Sequence, residues 1–155
     1  MEQAGMVHAL EEIQRMLAPG GCLIDIHPVI EAPLIEVYQR RNVVFVVSDP
    51  GYDYEEGLRQ AEDALAQIVQ RGLFVIAGSG EFDLITSASS VPELRDYWAK
   101  YGAYIEEPKD AAVEARMAEM FARVEEAMRR TGEGAEVATH EKARITRLNP
   151  KLSPP

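Results

Sequence analysis

The chain has 155 residues, 46% of them apolar, enough for one domain with a sizeable core. Sixteen basic residues stand against twenty-six acidic ones, and the formal charge of −10 opposes the basic footprint that nucleic acid or an anionic membrane would require. A single cysteine, Cys22, excludes an internal disulfide, and no Cys/His spacing matches a structural zinc site, so no metal is expected.

Glu2, Gly5 and His8 stand where a signal peptide would be apolar. The longest apolar run, 43–47, is far short of the roughly 20 residues of a membrane helix, so a cytoplasmic chain with no membrane partner is expected. Met6, Leu10, Ile13 and Leu17 recur at helical spacing and predict an amphipathic helix over 6–17. Pro19 disfavours helical geometry at Ala18, and Gly20-Gly21 supplies a permissive turn. A short buried strand over 22–26 follows, with Cys22 as a small core residue, and it ends at His27-Pro28. After a loop over 29–33, the β-branched and aromatic runs 34–39 and 43–48 flank Arg40-Arg41-Asn42. That pattern predicts a hairpin in which Asn42 takes the left-handed conformation and the two arginines solubilise the turn.

A second helix is predicted over 54–71 from the stripe Leu58, Ala61, Leu65, Ile68 and Val69, with Asp53 as N-cap, Glu56 completing a capping box and Gly72 as C-terminal cap. Strands over 73–77 and 81–87 then surround Gly78-Ser79-Gly80. A dinucleotide fingerprint needs a helix after its glycines, and Phe82, Leu84 and Ile85 predict a strand instead, so this stretch reads as a hairpin turn. Ser90 caps a helix over 91–101, where Leu94, Tyr97, Trp98 and Tyr101 form a packing side. A connection over 102–108 leads to a third long helix, 109–130, whose Met117, Met120 and Met128 make an adaptable face suited to a core or a subunit contact. Beyond the linker 131–134, the segment 135–148 reads as a final strand. Lys142, Arg144 and Arg147 suggest a sheet edge, and 149–155 reads as a frayed, flexible tail.

Candidate chemistry is sparse. Asp25 and His27 alternate on one strand near its carboxyl end, so both side chains face the same way and could act as a general-base pair; they are the candidate catalytic residues. His8 and His140 lack ligand spacing, and no nucleophilic triad has a recognisable local context.

The segment Leu17-Ala18-Pro19-Gly20-Gly21, between an amphipathic helix and a strand, resembles the post-motif segment of class I S-adenosylmethionine-dependent methyltransferases. The likeness covers 6–87. It implies an α/β fold, a mixed sheet of about five or six strands with packed helices, similar to the C-terminal half of a Rossmann-like domain. Residues 1–148 are then one domain, with 91–148 as an appendage. The family's cofactor loop lies upstream of the matched segment, so the resemblance assigns no cofactor-binding residue here. S-adenosylmethionine would bind only if a separate cofactor-binding chain supplied the missing half. Three readings result: a methyltransferase-like C-terminal module without independent activity, a non-enzymatic interaction protein forming a homodimer, and a small-ligand-binding module with a pocket between the hairpin and the helix of Tyr97 and Trp98. A homodimer is expected because strand 22–26 would otherwise leave an open edge.

Overall fold

The computed structural model describes residues 3–102 and 110–151. The elements are α1 (Gln3–Met16), β1 (Leu23–Pro28), β2 (Leu34–Gln39), β3 (Asn42–Ser48), α2 (Glu55–Gln70), β4 (Phe74–Ala88), α3 (Val91–Gly102), α4 (Ala111–Thr131) and β5 (Ala135–Pro150). The chain is α/β, with a five-stranded antiparallel sheet and four helices among the described residues. No described helix is long and apolar enough to cross a membrane.

Strand β5 pairs with β1, β2 and β4, and β3 pairs with β2. This corrects the edge assignment of 135–148: the segment is the strand on which the sheet is assembled. The strand also continues through Asn149 and Pro150, where the sequence suggested a frayed tail, and the Lys151 N–H donates to the Leu73 carbonyl. Residues 152–155, Lys109 and most of the 102–108 connection lie outside the described residues.

The chain divides into two compact units. The first takes in the described residues up to Glu31, Asp53–Phe82, and those from Lys142 on. Its core joins Val7 of α1, Ala64 and Ile68 of α2, Phe74 of β4 and Leu148 of β5, with Leu10, Leu17 and Leu23 packed against them. Burying each large side chain of this kind contributes about 1.5–3 kcal/mol. Between α1 and β1 the Gly21 N–H donates to the Ala18 carbonyl at 2.8 Å, with Gly20 at φ +79°. Pro19 thus occupies the position where its fixed φ is favourable and Gly20 the one needing positive φ, as in a type II turn. A Cβ on Gly21 would lie 2.9 Å from the Ala18 carbonyl oxygen, so a second glycine is required there.

Helix α2 starts from Tyr54, not Asp53, without a side-chain cap, and Glu55 and Glu56 meet the positive end of its dipole. Its end follows the expectation for Gly72, which sits at φ +73°. The Leu73 N–H reaches the Ile68 carbonyl and the Gly72 N–H reaches that of Val69, the paired bonds of a Schellman cap. Gly78-Ser79-Gly80 makes no turn. These residues lie within the continuous strand β4, correcting the hairpin reading. Glycine permits a turn but does not impose one, and ladder bonds to β5 hold the segment extended.

The second unit comprises the described residues of Ala32–Tyr52 and Asp83–Glu141. Strands β2 and β3 form the expected hairpin, with Gln39 opposite Asn42. The left-handed residues are Arg40 (φ 50°) and Arg41 (φ 70°), not Asn42, because a two-residue turn places positive φ at both its central positions. Ile35 and Val37 of β2, Val137 of β5, Val91 and Leu94 of α3, and Met120, Phe121 and Val124 of α4 build its core. Trp98 packs edge-on to Phe121 at 5.4 Å and its indole N–H donates to Thr139 Oγ1 at 3.1 Å, so Leu94 and Trp98 form the packing side, Tyr97 is exposed, and the side chain of Tyr101 lies outside the described residues. Ser90 Oγ caps Glu93 N, and the Glu93 carboxylate reaches back to Ser89.

Candidate functional site

In the first unit the β1·β5 ladder is antiparallel and pairs Leu23 with Leu148, Asp25 with Thr146, and His27 with Arg144. The period of two puts Leu23, Asp25 and His27 on one face, while Ile24 and Ile26 point the other way and are exposed. Helix α2 supplies Glu62, Leu65, Ala66, Val69 and Gln70, spaced i, i+3, i+4, i+7 and i+8, as one continuous wall. With Ile76 and Ser79 of β4 and Arg144, Thr146 and Leu148 of β5, these residues enclose a cleft of about 600 Å³ with His27 in its lining.

The structure brings Asp25 and His27 together. His27 Nδ1 lies 2.7 Å from Asp25 Oδ2. A carboxylate only accepts, so Nδ1 carries a proton and donates it, and a neutral imidazole then keeps its lone pair on Nε2. That Nε2 is buried and, among the described residues, has no hydrogen-bond partner. Glu62 Oε1 stands 3.6 Å from it, beyond hydrogen-bonding range. Glu62 is held by Arg144, whose Nη1 donates to it at 2.7 Å while Nη2 donates to Glu81 at 3.0 Å. The bond to Glu81 and the neighbouring Glu62 raise the Arg144 pKa above the ordinary guanidinium value despite its partial burial. Ser79 Oγ and Thr146 Oγ1, 3.1 Å apart, complete the polar lining.

Chemically, Nε2 is placed to accept a proton. Asp25 would orient the ring and stabilise the resulting imidazolium, and Glu62 could close its 3.6 Å gap to the new N–H. Sequence reading found the Asp25–His27 pair through its i, i+2 spacing. It missed Glu62, Glu81 and Arg144. In the sequence Glu62 is one of four acidic residues, with Glu55, Glu56 and Asp63, on the 54–71 helix outside its apolar stripe, and Arg144 reads as an edge-strand charge.

A second histidine cluster lies in the second unit. His140 of β5 stands between two carboxylates, Nδ1 at 3.1 Å from Glu36 Oε2 and Nε2 at 3.2 Å from Asp83 Oδ1. Tyr38 donates its hydroxyl to the same Glu36 oxygen. Burial opposes charge on His140, but the bonds to Asp83 and Glu36 outweigh it and raise its pKa. Burial and then the Glu36 contact push Tyr38 up to about 12. His8, on α1, lies 3.8 Å from Glu11 and is well exposed. Cys22 is half-buried just ahead of β1. Among the described residues, no group of three or more His, Cys, Asp or Glu side chains is arranged to hold a metal ion. No family model, curated protein or solved structure matches this chain.

Proposed function

We propose that this chain is a small-ligand-binding module whose site is the cleft between α2 and the strands β1, β4 and β5, with Asp25–His27 as a proton-accepting pair in its wall. The observation that carries this reading is the buried, unbonded His27 Nε2 beside a cleft large enough for a small organic molecule. Leaving a buried polar atom unpaired costs about 1–3 kcal/mol, and a ligand donating to it would recover that cost. Ligand-detected NMR with a fragment library tests the reading. Hits should compete with one another and lose binding to Ala66→Trp, which fills the cleft from an exposed helix position. Fragments that bind Ala66→Trp undiminished, or a library that yields no hits, would refute it.

A second reading keeps the methyltransferase likeness. Its support is local: helix α1, the Ala18–Pro19–Gly20–Gly21 turn, β1 and later α2 follow in the family's order, while the strand pair expected over 73–87 is the one strand β4. Ile24 (47% exposed), Ile26 (58%) and Ile145 (38%) form an apolar patch that would suit a second copy or a cofactor-binding chain. Calorimetric titration with S-adenosylmethionine should give no saturable heat with this chain alone. Light scattering at low micromolar concentration should show a mass above 17.2 kDa that falls on dilution if copies associate. A constant monomer mass removes the homodimer.

A further inference from the structure

Building on the ligand-binding reading above, we infer that the cleft takes an organic cation, a primary or secondary ammonium group carried on an apolar body. Glu62 and Arg144 line the polar end, with Asp25 bonded to His27 and Glu81 to Arg144 just beyond it, so among these described groups three carboxylates stand against one guanidinium. The carboxylates outnumber the guanidinium by two, which makes this end acidic. Arg144 offers little to an anion, because two of its donors already serve Glu62 and Glu81. A ligand carboxylate or phosphate would also enter beside those acids, and like charge in a partly desolvated cleft opposes it.

Hydrogen-bonding capacity points the same way. His27 Nε2 offers a lone pair and Glu62 offers carboxylate lone pairs, and the two groups are 3.6 Å apart. Both are acceptors, so the missing partner is a donor. An ammonium nitrogen supplies two or three N–H groups together with the opposite charge, and one such nitrogen at Glu62 can serve both acceptors. The remaining wall sets the rest of the ligand. Leu65, Ala66, Val69, Ile76 and Leu148 form an apolar surface that matches an aryl or alkyl body, while a small hydrated inorganic cation would leave it unused.

Three probes of similar shape separate the charge class from the existence of the site: phenethylammonium, 3-phenylpropionate and 3-phenylpropanol. Each is titrated into the full chain while the imidazole signals of His27 and the methyl signals of Leu65 and Val69 are followed by NMR. The ammonium should shift both sets saturably and bind at least about tenfold more tightly than the other two. Glu62→Gln should remove most of that advantage while leaving the Leu65 and Val69 shifts in place. If the alcohol or the carboxylate binds as tightly as the amine, the charge class is wrong and the cleft reading survives. If no probe moves the His27 or Leu65 signals, or if Ala66→Trp binds the amine undiminished, the cleft reading fails and this inference with it.

Discussion

Two histidines of this protein each stand between two carboxylates, and they differ in how far the arrangement is closed. His140 is bonded on both sides, to Glu36 at 3.1 Å and Asp83 at 3.2 Å. His27 is bonded on one side, to Asp25 at 2.7 Å, and stops 3.6 Å short of Glu62 on the other. A ring with both nitrogens donating is a charged clamp that has spent its chemistry on holding strands β2, β4 and β5 of its unit. One with a bonded Nδ1 and a free Nε2 is oriented and still has a reactive atom. Arg144 maintains the difference by drawing Glu62 toward itself and Glu81. The clamp therefore holds its unit together, and the open pair is the one the proposed ligand site rests on.

The sharpest way to break that comparison is to delete each ring. Glu36 is 7% exposed, and His140→Ala removes one partner of its carboxylate while Tyr38 remains, which should cost about 3 kcal/mol of unfolding free energy in urea titrations near pH 6. A loss below about 0.5 kcal/mol would show that the clamp holds nothing. His27→Asn should behave oppositely. Asn can still donate to Asp25 while the unbonded Nε2 disappears, so stability should stay within about 1 kcal/mol of the parent and cleft binding should be lost. A large destabilisation would make His27 a structural residue and remove the contrast.

Acidity separates the two sites next. The folded state holds the His140 proton more tightly than the unfolded chain does. The clamp's stabilisation is therefore complete below the unfolded value near 6.5 and is lost as pH rises through the higher folded value. Denaturant midpoints should decline over that window, and His140→Gln should flatten the decline while His27→Asn leaves it in place. Direct titration of the His140 imidazole by NMR checks the direction, and a midpoint below 6.5 would contradict it. Tyr38, pushed up to about 12, should add a further loss of stability only above the ordinary tyrosine value of 10.0.

The smallest effects come from local turns and serve as controls. Gly72→Ala places a side chain at φ +73° in the Schellman cap and should cost about 1 kcal/mol. Replacing Arg40-Arg41 by Asn-Gly relieves positive φ at two bulky residues and should stabilise by up to about 1 kcal/mol. Neither change should alter ligand binding at the His27 cleft. If the hairpin substitution changed that binding, the assignment of the site to the first unit would have to be revised.

Local signals were legible wherever a residue's own stereochemistry settles its conformation. β-Branched and aromatic runs set β2 and β3, helical stripes set α1, α2 and α4, and Pro19-Gly20-Gly21 and Gly72 marked the stops of α1 and α2. The i, i+2 spacing of Asp25 and His27 placed both on one strand face because that face repeats every two residues. What failed depended on partners. Gly78-Ser79-Gly80 can turn or extend, and pairing with β5 decides which; Lys142, Arg144 and Arg147 resemble an edge until ladders on both sides make β5 central. Glu62 and Arg144 stand 82 positions apart, and Glu36 and His140 104 apart. No period in the sequence links such residues, since antiparallel register and helix packing bring them together only in the folded chain. The sequence by itself determined the helices, the strands β1, β2 and β3 and the Asp25–His27 pair; only tertiary structure decided that β4 would run through its glycines, and that one histidine would be closed between its carboxylates and the other left open at Nε2.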